Sequence, residues 1–66
     1  MQFTIETEQE EDGRWLAEVR ELPGCMVYGA TLEAAQAGAE ALGLRVLADR
    51  LEHGEMAASP LMVALV

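Results

Sequence analysis

The chain has 66 residues, about half the usual length of a domain, so it builds one hydrophobic core at most. A core of this size contributes only about 3–5 kcal/mol to stability, and a single cysteine excludes an intramolecular disulfide. Twelve acidic residues and four arginines give a net charge of −8, which argues against direct nucleic-acid binding because phosphate neutralisation needs clustered basic residues. A hydrophobic content of 52% excludes disorder. We therefore expect oligomerisation to supplement the core.

No segment has the pattern of a signal peptide or a membrane span. The first residues lack a basic region and a long apolar run. The apolar run 61–66 has six residues, whereas about 20 are needed to cross a bilayer. Together with the single cysteine, this predicts a cytoplasmic protein without a membrane partner.

Alternating apolar and polar residues predict two strands, over 2–8 and 14–20, joined by a hairpin. The acidic turn between them contains Gly13, which can take a positive φ. We expect Thr7 to pair with Trp15, which brings both apolar sets onto one face. Those apolar sets are Phe3, Ile5 and Thr7 in the first strand and Trp15, Ala17 and Val19 in the second.

The segment 22–25, Leu-Pro-Gly-Cys, predicts a type II turn because proline presets φ at its second position and glycine allows a positive φ at its third. A short strand over 25–28 follows. Thr31 then has the position of a helix N-cap, and Gly54 that of a helix terminator. These signals predict a helix over 32–52.

The predicted helix has two apolar sets. The first is expected to pack on the sheet and consists of Leu32, Ala35, Ala39, Leu42 and Val46. The second lies on a different side and consists of Leu44, Leu47 and Leu51. Two interpretations of the second set remain open: it reaches over the sheet edge or the linker 55–60, or it forms a self-association surface.

A last strand over 61–65 completes a β-β-β-α-β order within a single domain, 1–66. A right-handed crossover then predicts an α+β fold, in which one mixed sheet of order 3-2-1-4 carries one helix on one face. The expected core is Phe3, Ile5, Trp15, Ala17, Val19, Leu32, Ala35, Leu42 and Val46. Because the last strand is almost purely apolar, both of its faces are expected to lose water, and one helix can cover only one. Residues expected to contact a partner or a second copy are Leu16, Met26, Leu44, Leu47, Leu51 and Met62.

Carboxylates are concentrated around the predicted hairpin, at Glu6, Glu8, Glu10, Glu11, Asp12 and Glu18. Three interpretations are open. The cluster is a solvated hairpin that discourages edge aggregation, a metal site built from Glu6, Asp12 and Glu18, or an electrostatic surface for a basic protein.

Catalytic motifs are absent: the chain has no glycine-rich phosphate loop and no paired histidines or cysteines. His53 is expected to cap the end of the helix, and Cys25 is expected to be a small buried hydrophobe. We therefore predict a protein that is not an enzyme and binds no metal or cofactor.

Four segments together resemble the HicB-like antitoxin family: Trp-Leu-Ala-Glu-Val at 15–19, Glu-Leu-Pro-Gly-Cys at 21–25, Gly-Ala-Thr-Leu-Glu-Ala-Ala at 29–35, and Glu-Ala-Leu at 40–42. The resemblance implies a partial ribonuclease H-like fold. It also implies a function, occlusion of a small basic mRNA-interferase toxin. Its motif positions, implied to be structural, are Trp15, Ala17, Leu22, Pro23, Gly24, Cys25, Gly29 and Thr31.

Two features of that family are not expected here. Its full antitoxins carry a C-terminal DNA-binding module, whereas this sequence stops at the last predicted strand, so operator binding is not implied. The last strand also has no carboxylate, which argues against two-metal nuclease chemistry. Two functions stay open: an antitoxin with a basic toxin partner, and a solitary homo-oligomer with an unrelated binding role.

Overall fold

The computed structural model describes residues 1–66 and has the element order that the sequence predicts. Its elements are β1 (Gln2–Gln9), β2 (Trp15–Val19), β3 (Met26–Gly29), α1 (Leu32–Glu52) and β4 (Met62–Leu65). The sheet order is β3-β2-β1-β4. β1 and β3 are both antiparallel to β2, and β4 is parallel to β1. The predicted α+β fold with one mixed sheet is confirmed.

The hairpin of β1 and β2 is two residues out of the predicted register. Trp15 pairs with Gln9 instead of Thr7, and Val19 pairs with Ile5. The turn is tighter than expected because Gly13 takes a φ of +91° and its N–H donates to the Glu10 carbonyl at 3.0 Å. A shift of two residues preserves the face of every side chain, so the predicted apolar face is right although the pairing is wrong.

The proline–glycine turn has the predicted geometry. The Cys25 N–H donates to the Leu22 carbonyl at 3.0 Å, and Gly24 has a φ of +84°. Both Leu22 and Cys25 are buried, as expected for the cysteine. The turn therefore adds two apolar side chains to the core.

The ends of α1 are capped as the sequence predicts. The Thr31 hydroxyl accepts a hydrogen bond from the Ala34 N–H at 3.1 Å. At the other end Gly54 has a φ of +69° and donates to the Leu51 carbonyl, while the Glu55 N–H donates to the Arg50 carbonyl at 2.8 Å. This pair of bonds is a Schellman motif, and it ends the helix.

The stripe of α1 that packs on the sheet only partly matches the predicted one: Ala35 and Ala39 are buried as expected, but the stripe then continues through Gly43 and Leu47. Its buried residues are spaced by four: Ala35, Ala39, Gly43 and Leu47. Leu32, Leu42 and Val46 are only half-buried. Small residues on the buried stripe let the helix approach closely, since a Cβ on Gly43 would lie 3.0 Å from Cε2 of Phe3. Leu47, assigned to the second apolar set, is 8% exposed and belongs to the core, so its prediction as an interface residue is wrong.

One core fills the space between α1 and the first three strands. Five predicted members are buried: Phe3, Ile5, Ala17, Val19 and Ala35. Trp15, Leu42 and Val46 pack around them without full burial. The core also contains Cys25 and Ala39, whose burial the sequence predicts, and Leu22 and Leu47, whose burial it does not.

β4 lies outside the cover of α1, so the expectation that the helix covers one of its faces is wrong. Met62 is 65% exposed and Leu65 54% exposed. The helix is placed over the other end of the sheet because its first turn meets β3: a Cβ on Gly29 would lie 2.5 Å from the Ala35 nitrogen. Since β3 and β4 are opposite edges of the sheet, this close contact holds the helix away from β4.

Candidate binding surfaces

The sheet has a face that α1 does not cover. Strand alternation places acidic and apolar side chains together on this face. We call it the acidic face; its residues are Glu6 and Glu8 of β1, Leu16 and Glu18 of β2, and Met26 and Tyr28 of β3. Leu16 and Met26 are thus among the predicted contact residues that lie on an open surface.

Like charges meet at the centre of the acidic face. Glu6 pairs across the ladder with Glu18, and Glu8 lies opposite Leu16. These four side chains line a shallow depression of about 100 Å³. Carboxylates directly opposite each other on a sheet are unfavourable, so an arriving cation is stabilised here.

Both arginines near the acidic face are already engaged. Arg20 forms an ion pair with Glu6. The Arg14 Nε lies 2.7 Å from Oδ2 of Asp12, and the Arg14 guanidinium lies 4.4 Å from the ring centre of Tyr28. The remaining carboxylates of the face and of the hairpin tip have no ion pair within the chain: Glu8, Glu10, Glu11 and Glu18.

Asp12 is held inside the hairpin turn. Its Oδ1 accepts from the Arg14 backbone N–H at 3.0 Å, and its Oδ2 accepts from the Arg14 side chain. These hydrogen bonds hold the pKa of the Asp12 carboxyl below its ordinary value. The predicted metal trio of Glu6, Asp12 and Glu18 does not converge, because Asp12 stays at the hairpin tip; that interpretation is wrong.

Glu21, to which the sequence assigned no role, accepts hydrogen bonds from β1 just beyond the end of β2. Glu21 accepts from the Thr4 backbone N–H at 2.6 Å and from the Thr4 hydroxyl at 2.7 Å. Thr4 is buried, so these bonds satisfy polar groups that face no solvent. The backbone N–H bond first, then the hydroxyl bond, lowers the pKa of Glu21. A glutamate two residues past a strand end is the sequence signal that could have indicated this contact.

A second unpredicted group lies at the end of α1. Asp49, His53 and Glu55 place one ligand atom each within 4.8 Å of one another, and all three residues are exposed. The His53 Nδ1–H donates to the Asp49 carbonyl at 2.7 Å, which is the helix-capping role predicted for this histidine. The i, i+4 spacing of Asp49 and His53 is the signal that brings the first two together.

The other predicted contact residues lie apart from the acidic face. Leu44 and Leu51 are exposed on α1, where Leu51 continues the four-residue spacing of the buried stripe beyond Leu47. Met62 lies on β4. The predicted contact set is therefore divided among three places rather than forming one patch.

The HicB-like motif positions have structural surroundings. Leu22, Cys25 and Ala17 are in the core, Pro23 and Gly24 form the turn, and Thr31 caps the helix. Trp15 packs against the core, and Gly29 lies against the first turn of α1. The motif residues thus form the turn before β3 and the start of α1, which packs on the side of the sheet opposite the acidic face.

Comparison of the chain with family models, with curated proteins and with solved structures gave no match. The HicB-like resemblance accordingly rests on the motif residues alone. The one helix, α1, lacks an apolar stretch long enough to cross a membrane.

Proposed function

We propose that the protein is a non-catalytic binding module resembling HicB-type antitoxins, which neutralises a small basic mRNA-interferase toxin by occlusion. The observation that carries this proposal is the acidic face, where Glu8 and Glu18, which have no ion pair within the chain, lie beside apolar side chains that α1 does not cover. An mRNA-cleaving partner acts in the cytoplasm, so the proposal places the module there.

Charge supports a basic protein partner. Seven of the twelve carboxylates precede α1, and the only two arginines in that part of the chain are both engaged. Such a one-sign surface steers an oppositely charged partner and favours the matching orientation. Leu16 on β2 and Met26 on the edge strand β3 supply apolar contact beside these charges, and apolar contact of this kind forms the part of an interface that excludes water.

The surface shape favours a protein over a small molecule. The depression of about 100 Å³ on the acidic face is smaller than the roughly 300–1,000 Å³ of ordinary ligand pockets. A second hollow at the hairpin tip has a volume of about 340 Å³, but it is open to solvent and its lining, Glu10, Glu11, Asp12 and Arg14, has none of the apolar side chains of an ordinary ligand pocket. Burial raises the pKa of the Cys25 thiol, which disfavours the thiolate that a nucleophile needs. These features support occlusion without catalysis.

The test begins with the neighbouring genes: the proposal expects one of them to encode a small basic protein, which is then co-expressed with this chain. We expect the two to co-purify, and a stoichiometric amount of this chain to suppress RNA cleavage by the basic protein. The double variant Glu8→Gln/Glu18→Gln should weaken the complex about tenfold, because two exposed charge pairs are each worth up to about 1 kcal/mol.

A matched double variant controls for net charge alone. Glu52→Gln/Glu55→Gln removes the same two charges from the far end of α1, and should leave affinity nearly unchanged. Equal losses in both variants would show that overall charge, and not the acidic face, recognises the partner. RNA cleavage that continues in the presence of excess chain would contradict occlusion.

The second candidate is a solitary homo-oligomer with an unrelated binding role. The exposed apolar side chains of β4 favour it, since monomers seldom leave a whole apolar strand uncovered. Co-purification separates the two candidates: the homo-oligomer predicts a species larger than 7.1 kDa that contains this chain alone.

A further inference from the structure

The outer edge of β4 has free backbone hydrogen-bonding groups. The Met62 N–H donates to the Met1 carbonyl at 2.9 Å, and the Val66 N–H donates to the Ile5 carbonyl at 3.1 Å. Because backbone groups alternate between the two edges of a strand, the N–H and C=O groups of Val63 and Leu65 point away from β1. No other strand of the sheet lies on that side.

The side chains of β4 are apolar and uncovered on both faces. Val63 and Leu65 are on the side of α1, because they pair with the helix-facing residues Phe3 and Ile5, yet both remain exposed. Met62 is exposed on the opposite side. An apolar edge strand of this kind is a template for adding another strand.

The charge distribution indicates which molecule can supply a strand to the free edge of β4. The segment 61–66 has no charged residue, while the rest of the chain carries the full −8. Two copies therefore repel each other least where their β4 strands meet. A basic partner gains nothing from this edge, since its charge complement is on the acidic face.

We propose that β4 pairs antiparallel with β4 of a second copy, which joins two four-stranded sheets into one of eight strands. This proposal deepens the homo-oligomeric candidate and does not depend on a basic partner. An antiparallel strand pair is its own complement under two-fold symmetry. Val63 then exchanges hydrogen bonds with Leu65 of the second copy, and Leu65 with Val63, so every outward group of β4 is used.

The pairing also removes apolar surface from water. Val63 of each copy becomes a direct cross-strand neighbour of Leu65 of the other, and such aliphatic pairs stabilise sheets. Ala64 lies on the two-fold axis and faces its own counterpart in a pair without hydrogen bonds, where Cα atoms approach to about 4.5 Å.

A proline at an outward position tests the hydrogen bonds. Val63→Pro removes an N–H that makes no bond to β1, so the monomer fold should persist, as proline is tolerated on free edges. The dimer loses two hydrogen bonds, and its dissociation constant, measured by analytical ultracentrifugation, should rise at least tenfold. Ala58→Pro is the matched control: Ala58 is exposed in the linker and its N–H makes no hydrogen bond, so dimerisation should not change.

A disulfide tests the register in a chain that keeps β4 intact. Under mild oxidation Ala64→Cys should form a covalent dimer, since its Cα separation falls within the range that a disulfide spans. Met62→Cys should not, because two residues 62 lie about 13 Å apart along the paired strands. The native Cys25 is buried, so the unmodified chain should stay uncross-linked.

Each result decides the proposal. A dimer that survives Val63→Pro unweakened, a chain that remains a 7.1 kDa monomer at high concentration, or Met62→Cys cross-linking better than Ala64→Cys overturns it. A covalent Ala64→Cys dimer together with the proline effect supports it. Loss of this dimer leaves the acidic face intact, so failure here and failure of toxin occlusion are separate results.

Discussion

Paired residues of β1 and β4 differ sharply in their exposure to solvent. Phe3 and Ile5 of β1 are fully buried, whereas their β4 partners Val63 and Leu65 are 36% and 54% exposed. All four side chains are large, apolar and on the side of α1. Strand pairing therefore does not determine whether these side chains are buried. Contact with α1 does, and α1 covers the sheet only as far as β1.

The position of the helix comes from small residues rather than large ones. Gly29 lets the first turn of α1 sit directly against β3, and Gly38 lets the helix approach Val27 of the same strand. Both contacts draw α1 toward the β3 edge, and β4 is left as the uncovered region. The two regions then have different uses: a complete core that presents the acidic face, and an edge that is free to pair.

The largest expected effect is on the free energy of unfolding, and it compares one residue of the covered strand β1 with one of the uncovered strand β4. Phe3→Ala should lower the free energy of unfolding by about 3–5 kcal/mol, which is comparable to the whole stability of a small domain. Val63→Ala should cost less than about 1 kcal/mol in the monomer, since partly exposed side chains lose little when truncated.

Urea unfolding of both variants, at protein concentrations low enough to keep the chain monomeric, measures this difference. Similar losses for Phe3→Ala and Val63→Ala would contradict the division into covered and uncovered strands. A large loss for Val63→Ala only at high concentration would instead report its contribution to the dimer.

The next effect concerns the contact that positions the helix. Gly29→Ala brings a Cβ to 2.5 Å from the Ala35 nitrogen, a backbone atom that cannot swing away. We expect a loss of about 1–3 kcal/mol in unfolding free energy. Gly38→Ala is the comparison: its Cβ would lie 2.7 Å from Cγ1 of Val27, a side-chain atom that can shift, and the gain of about 1 kcal/mol in helix propensity offsets part of the crowding, so we expect a smaller loss. Equal losses in urea unfolding would show that the two glycines serve the same purpose.

The sequence predicted most of the covered region from periodic and capping signals. Thr31, Gly54 and the proline–glycine turn identified the helix bounds and the third strand because each has a local chemical requirement. The hairpin register was off by two because face alternation does not distinguish Thr7 from Gln9 as the partner of Trp15. Only the turn geometry at Gly13 decides between them.

The buried face of the helix was harder to predict because a hydrophobic pattern depends mainly on large side chains. The predicted stripe included Leu42 and Val46 for this reason, whereas the structure buries Gly43 and Leu47. A glycine adds nothing to an apolar pattern, although it permits the closest approach. For the candidate site, sequence alone located the carboxylates of the acidic face. It did not show which arginines neutralise them, since Arg20 with Glu6 is a cross-strand contact.

A smaller effect involves the carboxylate that holds the end of the covered sheet. The pKa of Glu21 is lowered in the folded chain by its bonds to Thr4. A lowered folded pKa means that the ionised carboxylate stabilises the fold above the ordinary glutamate pKa, and that this stabilisation is lost as pH falls below about 4.3. Glu21→Gln, which does not titrate, should flatten the decline of the urea midpoint between about pH 5 and pH 3. Glu52→Gln, on the exposed helix end, should leave the decline as it is.

The smallest expected effect is on salt dependence, and its sign differs between the two regions. Association through β4 brings together two chains of −8 at an uncharged strand, so only long-range repulsion opposes it. Raising ionic strength from about 0.01 to about 0.1 M shortens the Debye length from about 30 to about 10 Å, and the dimer should tighten a few-fold in sedimentation equilibrium. Binding of a basic protein to the acidic face relies on attraction between opposite charges, so the same salt should weaken it. A dimer that weakens with salt would place ion pairs in the contact and exclude β4 as its centre, since no side chain of the segment 61–66 is charged.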